Sequence, residues 1–63
     1  MSDYWTRLEE LQVGDAAEKA VARIAEDIRD RRGIGNELEA IDDETVVDML
    51  NTWVAIIRQE LAA

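Results

Sequence analysis

The chain has 63 residues, 15 of them acidic and 7 basic, which gives a net charge of −8 at neutral pH. This length favours a single domain, and this charge disfavours direct binding to nucleic acid and to anionic membranes, both of which reward Lys and Arg. Because Cys and His are absent, disulfides and the common zinc sites are excluded, and we expect neither a metal nor a cofactor.

The first predicted helix covers about residues 2–13. Ser2 or Asp3 can cap its start, and Gly14 is suited to end it. Its apolar residues recur at helical spacing on one face: Tyr4, Trp5, Leu8 and Leu11. A helix this short is not stable in isolation, so it must lie on another surface.

The second predicted helix covers about residues 15–32. Asp15 is a candidate N-cap, and Glu18 stands three residues later, as in a capping box. Its apolar stripe is rich in alanine, which lets another helix approach closely: Ala17, Ala20, Val21, Ile24, Ala25 and Ile28. A basic cluster closes the segment and is expected in its last turn, where cations oppose the helix dipole: Arg29, Arg31 and Arg32. The alternative role for these arginines is bidentate binding of carboxylates or phosphate.

Residues 33–42 are expected to form a connection that contains a helical turn at about residues 36–41. The third predicted helix then covers about residues 43–61, with Asp42 or Asp43 as its N-cap. Its main apolar stripe consists of Val46, Val47, Leu50, Trp53, Val54, Ile57 and Leu61. These patterns predict an all-α fold: a small three-helix domain in which the short N-terminal helix packs across an antiparallel helical pair, as a monomer or as a homodimeric bundle. We expect Ile24, Ile28, Leu50, Val54 and Ile57 in the core.

The apolar arc of the third helix is wider than one neighbouring helix needs, because Met49 and Ile56 extend it on one flank beside Trp53. One interpretation is that the first helix folds back over this flank, with Trp5 and Leu8 as its cover. The other is that Met49, Trp53 and Ile56 form a dimer seam or a partner groove, since Met and Trp are favoured at interfaces.

Charge is segregated along the chain, because no Lys or Arg occurs from Gly33 to Ile57. This stretch carries six acidic residues: Glu37, Glu39, Asp42, Asp43, Glu44 and Asp48. Such a surface attracts partners of opposite charge and could serve as a docking patch or imitate a phosphate backbone. The alternative is that the acids favour helix starts and solubility only.

Two functions follow from these patterns. The first is a small acidic inhibitor or adaptor that occludes a basic surface of a larger protein. Phages and other mobile elements encode many inhibitors of this size and charge, including inhibitors of host defence. The second is a structural homodimeric bundle with no charge-mediated partner. The sequence offers no general base that would activate a hydroxyl side chain as a nucleophile, so we do not expect the protein to be an enzyme. The N-terminal residues do not resemble a signal peptide, which favours a cytoplasmic location.

Overall fold

Four α-helices occur within residues 3–62, the part of the chain that the computed structural model describes. They are α1 (Asp3–Gln12), α2 (Ala16–Asp30), α3 (Ile34–Ala40) and α4 (Asp43–Ala62). The all-α prediction is confirmed. Ser2 and the side chain of Asp3, the predicted caps of the first helix, lie outside the described residues and side chains. Over residues 3–62, none of the helices is long and apolar enough to cross a membrane.

The starts of the two long helices are set by capping aspartates. The Asp15 carboxylate accepts the backbone N–H of Glu18 at 2.9 Å, and the Glu18 carboxylate accepts the N–H of Asp15 at 3.1 Å. This reciprocal pair is the predicted capping box. Asp42 caps α4, because its carboxylate accepts the N–H of Thr45 at 3.1 Å and the Thr45 hydroxyl at 2.9 Å.

The connection between the second and third predicted helices contains a further helix, α3, instead of one helical turn. Gly33 precedes it with a φ of 83°, a conformation that L side chains rarely adopt. Gly35 lies against the last turn of α2, where an added Cβ would collide with the Arg29 carbonyl and lie 3.1 Å from that of Ile28. The absence of a side chain at Gly35 therefore lets α3 cross the end of α2, and Leu38 on α3 enters the core.

The core lies where α1, α2 and α4 meet. Leu50 and Val54 are buried as predicted, but Ile24 is 51% exposed, and Ile28 and Ile57 are only partly buried at the edge of the core. The buried residues of α2 are all small: Ala17, Val21, Ala22 and Ala25. Because α1 and α4 both pack on α2, the buried arc is centred between them, and Ile24 lies outside it.

Polar side chains show how the helices are arranged. Arg58 near the end of α4 donates to Asp15 at the start of α2, at 2.6 Å, so these two helices run antiparallel. Arg7 on α1 donates to Asn51 on α4 at 2.8 Å. Helix α1 therefore covers the flank of the α2–α4 pair on which Asn51 and Arg58 lie, which we call the closed flank. The other, open flank carries Ile24 and Ile56.

Candidate functional site

The predicted acidic residues lie on α3, on the α3–α4 connection and on the first half of α4. All are exposed except Asp43, which is partly buried. Three of the six border one shallow hollow of about 600 Å³, which is lined by Asp42, Glu44, Thr45, Val47, Asp48 and Asn51. We call these six residues the acidic hollow. Glu37 and Glu39 on α3 and Asp43 do not line it.

Two of the predicted acidic residues already have partners within the protein. Glu39 lies 3.4 Å from the Arg29 guanidinium, between α3 and α2. Asp42 caps α4, and hydrogen bonds from the Thr45 hydroxyl and then from its N–H hold the pKa of the Asp42 carboxyl below its usual range. All three acids of the hollow are exposed, but the Asp42 carboxylate is engaged in the cap, so Glu44 and Asp48 are the other acids that a partner can reach there.

The basic cluster is divided by the structure. Only Arg29 lies in the last turn of α2, because the helix ends at Asp30 and Arg31 is its C-cap. The prediction for Arg31 and Arg32 is therefore wrong by one or two residues. Arg31 bonds to Asp27 at 2.8 Å, and this hydrogen bond raises the pKa of the Arg31 guanidinium. Because Arg29 pairs with Glu39 and Arg31 pairs with Asp27, these arginines do not converge on a single anion-binding site.

Arg29 instead forms a contact that the sequence did not reveal. Its guanidinium lies over the Trp5 ring, 3.6 Å from the ring centroid, and 5.9 Å from the centroid of Tyr4. This cation–π contact joins the start of α1 to the end of α2. No local pattern could have indicated it, because the two residues are far apart in sequence and Trp5 was expected to cover α4.

Tyr4 is buried beneath Arg29, with 3% of its surface exposed. Its hydroxyl has no hydrogen-bond partner among the described side chains and backbone, residues 3–62. Burial raises the pKa of the Tyr4 phenol, an effect that the nearby Arg29 charge partly opposes.

An apolar groove of about 290 Å³ runs along the open flank. It is lined by Val21, Ile24 and Ile28 of α2 and by Trp53, Ile56 and Ile57 of α4. Ile24 and Ile56 are each 51% exposed. We call these six residues the apolar groove. None of the α1 side chains described, residues 4–12, lines it.

The predicted flank of Met49, Trp53 and Ile56 is only partly this groove. Trp53 and Ile56 line it, whereas Met49 is partly buried against the core. The expectation that Trp5 and Leu8 cover the flank is wrong, since Trp5 lies under Arg29 and α1 packs on the opposite flank. The sequence missed Ile24 and Ile28 as groove residues because it assigned both to the core.

Among the described residues, no three carboxylates are close enough together to hold a metal ion. Comparison of the chain with protein-family models, with curated proteins and with solved structures found no match in any of the three. The function is therefore inferred from the acidic hollow and the apolar groove themselves.

Proposed function

We propose that this protein is a small binding module that docks on a basic surface of a larger protein, as an inhibitor or an adaptor. The acidic hollow is the centre of the proposed contact. The observation that carries the proposal is that three carboxylates border one concave surface within a stretch that has no Lys or Arg from Gly33 to Ile57.

Segregated charge has a physical consequence that interspersed charge lacks. Helix α2 mixes Lys19, Arg23 and Arg29 with its acids, so its field largely cancels a few ångströms away. Residues 33–57 supply no such compensation themselves, and the cations that reach this surface from other helices are Arg29, which pairs with Glu39, and Arg7 at the Asn51 edge of the hollow. A surface of one sign raises the rate of encounter with a partner of the opposite sign and discriminates against others.

The lining of the hollow suits the side chain of Arg or Lys. Glu44 and Asp48 offer carboxylates to the charged head, and Val47 offers an apolar surface to the aliphatic stem. Asn51 closes one end, where it accepts a hydrogen bond from Arg7. A single basic side chain inserted here would be held by charge-assisted hydrogen bonds, which are stronger than neutral ones.

The first test is to titrate isotope-labelled protein with a hexa-arginine peptide at an ionic strength of about 0.1 M, where the Debye length is about 10 Å, and to follow backbone amide shifts. We expect the largest shifts at the amides of residues 42–51, because this peptide presents the proposed chemistry without a partner fold. Replacing Glu44 by Gln and Asp48 by Asn together should weaken binding about tenfold, since each lost contact between exposed charges contributes about the thermal energy and a tenfold change corresponds to about 2.3 times that energy.

A matched control removes the same number of charges elsewhere. Glu9 and Asp30 are exposed acids outside the hollow, and changing them to Gln and Asn should leave the affinity within about twofold, since exposed charges beyond a Debye length are screened. Equal weakening by both double variants, or shifts spread evenly over all four helices, would contradict the proposal.

A further inference from the structure

The apolar groove exposes a contiguous set of large side chains that the fold itself does not cover. Ile24 of α2 and Ile56 of α4 line it with about half of their surface in water, and the partly buried Trp53 of α4 lines it beside them. Contiguous apolar patches of this kind mark interaction sites on soluble proteins, because their exposure is unfavourable in water. The occupant can be inferred from where the charges lie.

We propose that the groove binds a second copy of this chain, groove to groove, so that α2 and α4 of both copies form a four-helix interface. Ile24, Trp53 and Ile56 would be its centre. The contact is isologous, with the same surface contributed by each copy. The acidic hollow takes no part in it.

The position of the groove minimises repulsion between two copies that each carry a charge of −8. At 100° per residue, the groove residues of α4 (Trp53, Ile56 and Ile57) lie about 165° around the helix from the hollow residues Glu44, Asp48 and Asn51. The two sets are also displaced by about 11 Å along the helix. Copies that meet at the groove therefore keep their acidic hollows on the outer faces, farther apart than the Debye length of about 8 Å at physiological salt.

The rim of the groove carries charges of both signs. Asp27 stands three residues after Ile24, Arg31 stands three residues after Ile28, and these two form an ion pair at 2.8 Å. Glu60 stands four residues after Ile56, about one turn further along α4. Such a rim neither repels a like-charged copy strongly nor attracts a strongly basic partner. The acidic hollow, in contrast, repels a second copy and attracts a basic partner. A second copy therefore suits the groove better than a basic protein does.

The size of the open flank is sufficient for a small dimer. Two adjacent helices about 10 Å wide, which overlap over the length of α2 (15 residues, about 22 Å), present roughly 440 Å² in projection. Because the accessible surface of ridged helices exceeds its projection, each copy can bury the roughly 600 Å² that the smallest specific interfaces require. Domains of this length are also marginally stable alone and often gain stability by association.

Sedimentation equilibrium tests the proposal directly. From about 1 μM to about 1 mM, a range that spans weak association constants, the wild type should pass from the 7.1 kDa chain to twice that mass. Higher salt should strengthen the dimer by screening the repulsion between copies. Ile56→Glu should weaken association at least about 100-fold while helix content is kept, because the carboxylate would be buried unpaired in the interface.

Ile34→Glu is the matched control, because Ile34 is 58% exposed on α3 and does not line the groove. It should dimerise like the wild type. Should Ile56→Glu unfold the chain, Ile24→Glu provides the same test from α2. A wild type that stays monomeric at about 1 mM, or equal weakening by Ile34→Glu and Ile56→Glu, would overturn the proposal. Hexa-arginine binding at the hollow is a separate readout, so either proposal can fail alone.

Discussion

On the closed flank of the α2–α4 pair, Leu8 and Leu11 of α1 are 2% and 0% exposed, whereas on the open flank Ile24 and Ile56 are each 51% exposed. The two flanks also differ in their polar contacts. The closed flank is tied by Arg7 to Asn51 and by Arg58 to Asp15, while the rim of the open flank holds the local Asp27–Arg31 pair.

This difference follows from the side-chain sizes on α2. Its core side carries three alanines and Val21, which let α1 and α4 approach closely, while its large residues Ile24 and Ile28 face the open flank. A domain that needed every apolar side chain for its own core would place the large ones inside. The arrangement indicates that the closed flank supplies folding stability and that the open flank is available for association.

The largest expected effect contrasts alanine substitutions on the two flanks. Leu11→Ala or Leu50→Ala should lower the free energy of unfolding by about 2–5 kcal/mol, because each removes a fully buried side chain and leaves a cavity. Ile24→Ala and Ile56→Ala should each cost less than about 1 kcal/mol, since half of each side chain is already in water.

Urea unfolding at low protein concentration, where association does not contribute, measures these differences. The comparison of flanks fails if Ile24→Ala costs as much as Leu11→Ala, a result that would return Ile24 to the core in which the sequence pattern placed it.

Local signals in the sequence were sufficient to predict α1, α2 and α4 and the N-caps of α2 and α4. The Asp15–Glu18 capping box and the Asp42 cap depend on residues only three positions apart, and the stripe on α4 correctly placed Leu50 and Val54 in the core. Periodicity gives the apolar side of a helix in this way, because it depends on one helix at a time.

What the sequence could not provide depends on contacts between helices. A stripe on α2 does not reveal that both α1 and α4 pack on this helix and that Ala22 is buried, so the centre of the buried arc was placed too near Ile24. The contact of Arg29 with Trp5 and the helix α3 likewise arise from tertiary packing, at Gly35 in particular. For the candidate site, the segregation of charge along the chain predicted the acidic residues, but their division between the hollow and partners such as Arg29 depends on how the helices pack.

An intermediate effect is expected where α3 closes the end of the bundle. Gly35→Ala should destabilise the protein by about 1–3 kcal/mol, because the new methyl group would collide with the backbone carbonyl of Arg29, which cannot move aside as a flexible side chain can. This loss outweighs the gain in helix propensity from Gly to Ala, which is at most about 1 kcal/mol.

Asn36→Ala is the control for this change, since Asn36 is exposed on the same helix, and its effect should stay within about 0.5 kcal/mol. Thermal unfolding of both variants gives the measurement. If Gly35→Ala were as stable as the wild type, α3 would not approach α2 as closely as the structure has it.

The smallest effect has the opposite sign and concerns Tyr4 on the closed flank. Its hydroxyl is buried, and within residues 3–62 it has no hydrogen-bond partner. Tyr4→Phe should therefore raise the free energy of unfolding at neutral pH by about 1 kcal/mol, since it removes a desolvated polar group and keeps the ring under Arg29.

The same substitution should also change how the free energy of unfolding depends on pH. Because the folded pKa of Tyr4 is raised, the folded state holds its proton more tightly than the unfolded chain does, so stability falls as pH rises above the ordinary tyrosine value of about 10. The Phe variant should lack this alkaline loss, which urea unfolding at neutral pH and at pH of about 10.5 would measure. A less stable Phe variant, or an unchanged alkaline loss, would mean that the hydroxyl has a partner, such as a bound water, that stabilises it on the closed flank.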